Sequence, residues 1–146
     1  MIVFGDRNDG RVIAEEARTT FDAQRDVVIA NVVNGRLAGG VIYTGFTKAS
    51  VIVHFAGLRR NWICRDLVWV SFDYPFNQLS LDKLFGFVKE DNHRSIRLVH
   101  HLGFEEVTRI PGRHAGGLGD IVYRMDFERA RDWLKIKPRM FQIGVS

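Results

Sequence analysis

Residues 84–104 read LFGFVKEDNHRSIRLVHHLGF, and the fold turns on how that stretch divides. Residues 84–88 carry apolar side chains or glycine on both alternating faces. Strands of a parallel pair, covered on both sides, have that composition. Asn92 suits a helix N-cap, because its side-chain oxygen can accept an orphan backbone N–H of the first turn. Gly103 suits the exit, where the chain leaves in a left-handed conformation that costs glycine little. Between them Ser95, Leu98, Val99 and Leu102 recur at helical spacing and form one stripe. The stretch is therefore a buried strand followed at once by a capped helix.

Working outward, residues 105–110 read as a strand, 111–119 (PGRHAGGLG) as a glycine-rich mobile hairpin tip, and 120–126 (DIVYRMD) as an alternating strand. Residues 127–135 open as a helix, and the tail beyond Lys135 is unassigned. Upstream, residues 27–33 are apolar and β-branched, and Asn34-Gly35 is a strong two-residue hairpin signal. Residues 37–46 form the return strand and 50–55 a third, giving an antiparallel meander. Residues 63–72 (ICRDLVWVSF) are apolar on one helical face; Tyr74-Pro75 interrupts them, since proline biases its predecessor away from helix. A second short helical piece reaches Leu81. Residues 11–21 form an early helix with Asp9 near its start, and residues 1–5 a short edge strand. Strand, helix and strand over 51–88 imply one parallel pair with a right-handed crossover. The expected class is α+β: a mixed, mostly antiparallel central sheet with helices on both faces.

The 146 residues fit a single domain spanning 1–146, with no internal repeat or linker. No apolar run reaches membrane-spanning length, so no membrane partner is expected. Residues 1–6 are too short and too quickly polar for a signal peptide. Cys64 is the only cysteine, which excludes a disulfide framework and a cysteine metal cluster; no metal site is expected, and the compartment reads as cytoplasmic. The formal charge of +4 favours anionic partners such as nucleic acid, acidic surfaces or a phosphorylated cofactor.

Residues 54–68, HFAGLRRNWICRDLV, carry a basic loop from a strand into a helix. Backbone N–H groups at a helix start lack partners, and the helix dipole adds positive potential. Such a turn can seat a phosphate, and Arg59, Arg60 and Arg65 add full charges. Alone, the loop reads first as a solvated basic turn with no ligand.

Together the two stretches resemble the GNAT superfamily of N-acetyltransferases, in its compact bacterial and phage form. That family's cofactor turn, Gln/Arg-x-x-Gly-x-Gly/Ala, is matched in degenerate form by Arg59, Arg60, Asn61, Trp62, Ile63 and Cys64, then Leu67 and Val68. Its later motif is matched by LFGFV, then Asn92, Ser95, Ile96 and Leu98, and the closing Leu102-Gly103-Phe104. The resemblance implies two parallel strands that splay apart, with acetyl coenzyme A as acyl donor in the wedge. It implies a diphosphate on the amides of 59–64, Asn92 and Ser95 on the cofactor's arm, and a backbone N–H near Phe55 or Ala56 as oxyanion donor. The implied reaction is direct transfer of an acetyl group to an amine, of a small molecule or a protein.

Two residues depart from the family pattern. Trp62 replaces a glycine that lets phosphate approach, so its ring must turn away or block the site. Val99 replaces the tyrosine often used as acid. Substitute catalytic groups are His54 and His100 for acid–base work and Glu90, with Asp91, for binding the incoming ammonium; His101, Tyr43 and Tyr74 have weaker claims. For each the structural reading weighs more: His54 as a hydrogen-bonded strand histidine, His100 as a surface residue, Glu90 as a solvated loop carboxylate. Cys64 is set aside as a nucleophile, having no histidine tied to it. Arg94, Arg97 and His101 share a basic helix face that could meet a cofactor phosphate or, less favoured, a nucleic acid. Trp69, Phe72, Tyr74 and Phe76 read as core or dimer contacts, and Trp133 with the apolar tail could serve a homodimer. An alternative reading keeps the fold and drops the chemistry: a catalytically degenerate binding or assembly protein, phage-encoded and resident in host cytoplasm, with a basic surface for nucleic acid or protein.

Overall fold

The computed structural model describes residues 1–138 and the backbone of residues 143–145. Asn34 and Gly35 both take left-handed backbone, φ 52° and 74°, as a tight two-residue hairpin requires. They join β2 (Val27–Val33) to β3 (Arg36–Thr44), and β4 (Ser50–Gly57) returns antiparallel to β3. The register sets Ile42 opposite His54 and Gly39 opposite Gly57. The chain then forms α2 (Arg65–Asp73) and crosses to β5 (Lys83–Lys89), which runs parallel to β4. Next come α3 (His93–Leu102), β6 (Glu105–Ile110), β7 (Asp120–Asp126) and α4 (Phe127–Leu134). Before them lie β1 (Ile2–Phe4) and α1 (Arg7–Ala17), and β8 (Ile143–Val145) closes the chain. Among the described residues one sheet holds eight strands in the order β6-β7-β5-β4-β3-β2-β1-β8.

The mixed sheet, the meander, the crossover and helices on both faces are as the sequence predicts. Asn92 caps α3, its side chain accepting from the Ser95 N–H at 3.2 Å, and Gly103 leaves at φ 97°. Three expectations need correction. β1 is not an edge strand: it pairs antiparallel with β2 and, on its other side, parallel with β8. β8 itself falls in the tail left unassigned. The first helix starts at Arg7, not at residue 11. Asp6 and Asp9 form a reciprocal capping box, each side chain accepting the other's backbone N–H, and Arg18 ends the helix in left-handed backbone. Phe21 lies beyond it, with its ring against Gly10. Finally, the second α-helix does end before Pro75 and a second helical piece follows, as expected, but Tyr74 keeps helical backbone, φ −58° and ψ −57°, and the piece stops at Gln78 rather than Leu81. Pro75 enters a π-helical turn, Tyr74–Gln78, near its start, where its missing N–H costs no bond, and the Leu79 N–H reaches the Tyr74 carbonyl at 3.0 Å.

Strand alternation gives the sheet two different faces. On one, α1 packs Ile13 and Ala14 against Val28, Ala30, Ile42 and Ala56. On the other, α2, α3 and α4 bury the larger core, which includes Tyr43, Leu67, Phe72, Leu84, Leu102, Tyr123 and Met125. Trp69, Phe72 and Phe76 belong to this core, and Tyr74 packs edge-on to Phe4 and Tyr43. Trp133 is engaged within the chain: its Nε1 donates to the Leu102 carbonyl at 2.8 Å, the Arg65 guanidinium lies over its ring, and His101 meets it edge-on. The side chains of the apolar tail lie outside the described residues.

Candidate active site

β4 and β5 pair at only three positions: Ser50 with Lys83, Val51 with Leu84, and Ile52 with Phe85. β4 then continues to Gly57 beside β3, while β5 continues to Lys89 beside β7. Each strand stays in register with its own half of the sheet, and no ladder joins them past Ile52 and Phe85. The result is a gap flanked by Val53–Gly57 on one side and Gly86–Lys89 on the other. Phe55 and Ala56 lie on its β4 wall, and alternation turns Phe55 toward the larger core and Ala56 toward α1.

The loop leaving β4 is tied to β3. The amides of Leu58 and Arg59 both donate to the Ala38 carbonyl, at 2.8 and 3.1 Å, and Arg59 Nε donates to the Leu37 carbonyl at 3.3 Å. The Arg59 amide is therefore spent, so a phosphate at this turn must use donors from Arg60 onward. No side chain caps α2, and its first intrahelical bond runs from the Val68 N–H to the Cys64 carbonyl. The first-turn amides of Arg65, Asp66 and Leu67 thus keep the open donors of a helix start. Arg65 directs its guanidinium to the Trp133 ring, 5.6 Å from the centroid, while Arg60, Asn61 and Cys64 are exposed and Ile63 is half-buried.

Trp62 resolves the difficulty its size creates. The indole lies across the cross-strand pair Gly39 and Gly57, so close that a Cβ built on Gly57 would stand 2.2 Å from its Cδ1 and Nε1. A Cβ on Gly39 would meet its Cε3 at 2.8 Å. Two glycines, distant in sequence, make the seat that lets a tryptophan occupy the turn. The ring rests on β3 and β4, the side of the turn away from β5.

Asn31 is the residue that sequence reasoning missed. It is 3% exposed on β2, and its Nδ2 donates to the Trp62 carbonyl at 2.8 Å, with Cys64 Sγ at 3.8 Å. One buried amide therefore positions the middle of the turn from two strands away. Its signal was available: a lone amide inside the apolar run VVIANVV has to find a partner.

The candidate acid–base residues do not converge. His54 sits on β4 two residues past the last β4–β5 pair, and alternation places it on the α1 face. Its Nε2 is 3.2 Å from Thr44 Oγ1, and burial holds its pKa below the ordinary 6.5 despite nearby Asp26. His100 lies on α3, with Nε2 3.2 Å from the Tyr123 hydroxyl. Glu90 follows β5, and its backbone N–H is bonded to the Gly119 carbonyl. Tyr43 is buried with its hydroxyl donated to the Ser71 carbonyl at 2.7 Å, which leaves it no proton-donor role. Asn92 spends its side-chain oxygen on the α3 cap and keeps its amide nitrogen as a donor; Ser95 stands half-buried in the same first turn. The basic face of α3 is divided, because His101 turns to Trp133 while Arg94 and Arg97 remain exposed.

The 111–119 loop is tied down rather than loose at its base. Asp120, 4% exposed, accepts from Arg113 Nε at 2.8 Å and lies 2.6 Å from His114 Nε2. The Arg113 guanidinium sits over the Phe87 ring of β5. This hairpin therefore borders the β5 side of the gap. Among the described residues no cluster of three or more His, Cys, Asp or Glu could hold a metal, and no helix is long and apolar enough to cross a membrane.

No family model matches the chain, and no curated protein does. Solved structures do. A spermidine N-acetyltransferase of Vibrio cholerae, in an F149A mutant form, superposes at a TM-score of 0.73 with 15% identity, covering 92% of this chain and 98% of that one. A GNAT-family acetyltransferase of Bacillus anthracis gives 0.64 at 10% identity, covering 87% and 94%. A ribosomal-protein-S5-alanine acetyltransferase of Vibrio fischeri gives 0.61 at 19% identity, covering 79% and 66%. The chain spans 62% of the length of a further match, a probable acetyltransferase. At these identities the likeness shows the fold, and it is the fold of GNAT acetyltransferases.

Proposed function

We propose that the protein is an acetyl-coenzyme-A-dependent N-acetyltransferase acting on an amine. The observation that carries this reading is the three-pair β4–β5 ladder, opening into a gap with the uncapped start of α2 nearby. The residues present suit the cofactor. Amides from Arg60 to Leu67 would face its diphosphate, Asn92 Nδ2 would hold its arm, and the β4 backbone near Phe55 and Ala56 would supply an N–H to the thioester oxygen. Bound acetyl coenzyme A supplies an activated acyl group, and everything else falls to this chain.

The acceptor must present a neutral amine, so a proton has to leave it. His54 is the group best suited to receive it, directly or through water. It lies just past the opening of the ladder, on the face opposite α2, and burial keeps it neutral near pH 7. A backbone donor aimed at the developing oxyanion lowers the barrier without reorganising. The acceptor would enter from the α1 face, where Phe85, Phe87 and the Arg113–Asp120 hairpin border the gap. The named neighbours act on acceptors as different as spermidine and a ribosomal-protein alanine, so the fold leaves the amine open.

Thermal melting with and without coenzyme A tests the proposal. Ligand at a hundred times its dissociation constant adds about 2.7 kcal/mol of stability. Arg60→Ala combined with Asn92→Ser, which keeps the cap, should abolish the shift. Release of free thiol from acetyl coenzyme A with a panel of amines then reads the transfer itself. Absence of a coenzyme A shift, with a shift on adding DNA or RNA, would sink the enzymatic reading in favour of the binding one.

A further inference from the structure

A cleft of about 410 Å³ lies beside the turn, on the side away from β5, lined by Val33, Asn34, Arg36, Ala38, Arg59, Arg60 and Asn61. Its walls come from two places in the chain, the tip of the β2–β3 hairpin and the loop leaving β4. They are bonded to each other through the amides of Leu58 and Arg59 on Ala38 and through Arg59 Nε on Leu37. Three arginines therefore face one space whose two walls are fixed together.

Their charges are not compensated. No acidic residue lines the cleft. Among the described residues Arg36, Arg59 and Arg60, like Arg7, Arg11, Arg18, Arg65, Arg94 and Arg97, form no ion pair with a carboxylate; what sets the first three apart is that they line one cleft. Guanidinium groups gathered without a counter-charge raise the local potential, and their planar forks match phosphate oxygens. Two asparagines on the same walls add neutral donors.

We infer that this cleft is a phosphomonoester site, and that its occupant is the 3′-phosphate of coenzyme A, with Arg36 as the discriminating residue. The inference rests on the cofactor reading above. Arg60 and Asn61 belong both to the cleft and to the diphosphate turn, so one ligand with two phosphate centres at its nucleotide end can engage both. The diphosphate takes the helix-start amides, and the monoester turns toward the hairpin. Arg36 stands at the start of β3, outside the diphosphate turn, so it reads the second centre alone.

The test is calorimetric binding of coenzyme A, 3′-dephospho-coenzyme A and inorganic phosphate to the wild type, Arg36→Ala and Arg36→Lys. Arg36 is exposed on a hairpin, and unchanged melting temperatures verify that the variants are folded. A charge-assisted contact of this kind corresponds to about tenfold or more in affinity. The wild type should prefer coenzyme A over the dephospho form by that factor. Arg36→Ala should remove the preference without weakening the dephospho form, and Arg36→Lys should restore part of it. Equal affinity for the two in the wild type, or equal loss of both in Arg36→Ala, overturns the assignment while leaving the cofactor reading intact. Arg36-dependent binding of inorganic phosphate without any preference between the two coenzymes also overturns it, assigning the cleft to a separate phosphate. Binding of neither coenzyme refutes the cofactor reading, and this inference with it.

Discussion

Gly57→Ala is the sharpest probe of how the turn is held. The new methyl group would stand 2.2 Å from Trp62 Cδ1 and Nε1 and 2.5 Å from Cε2, and the three atoms nearest to it all belong to the indole. No backbone stands closer, and the position has no left-handed φ to complicate the result. The ring must therefore leave its seat. A tryptophan can bury on the order of 200 Å²; displacing the ring from its two-glycine seat exposes roughly half of that, about 100 Å², worth about 2.5 kcal/mol at roughly 25 cal/mol per Å². Urea unfolding reads the loss, and tryptophan emission should shift to longer wavelength as the indole meets water. A double-mutant cycle isolates the contact. In a Trp62→Gly background the same alanine should cost within about 0.5 kcal/mol, giving a coupling near 2 kcal/mol. Equal costs in both backgrounds, or a cost below about 0.5 kcal/mol in the wild type, would refute the seat and leave the tryptophan's place in the turn unexplained.

Two further outcomes follow from the same geometry. Asn31→Ala removes the bond to the Trp62 carbonyl and leaves that oxygen without its partner, costing about 1–3 kcal/mol; coenzyme A affinity should fall as well, and Asn31→Leu, which fills the space but also supplies no donor, should recover neither. His54 gives a pH signature. Its folded pKa lies below the ordinary 6.5 because burial disfavours the charge, so the unfolded chain takes up its proton first. This contribution to stability is present above about pH 6.5 and is lost as pH falls toward the folded pKa. His54→Gln should flatten that part of the stability–pH curve; a curve parallel to the wild type's would contradict the assignment.

Much of the architecture was legible because its determinants are local. Asn34-Gly35 demands left-handed backbone whatever surrounds it, and Asn92 and Gly103 mark a helix by cap chemistry alone. The failures were also local in origin. The Asp6–Asp9 box lacks the usual Ser/Thr and Glu, so the sequence places the first helix four residues late, and the π form of the piece after Asp73 leaves no periodic trace. The site was legible only as a list. The family resemblance picks out residues 59–64 and Asn92, but the fit of Trp62 depends on Gly39 and Gly57, and the turn's anchor is Asn31 on another strand. Such relations exist only once the strands are in register. The candidate acid–base groups are least legible of all, since what separates His54 from His100 is which face of the sheet each occupies.

The three-pair seam between β4 and β5 has a mechanical consequence. With only three residue pairs crossing it, the two halves of the sheet are leaves whose backbones are tied along one short edge, the hinge. The angle between the leaves is then set by what is wedged against the hinge, and Val51 and Leu84, both fully buried and directly paired across it, are the innermost of those wedges. Enlarging or trimming either one would reset the aperture at its far end without touching a single residue that lines it.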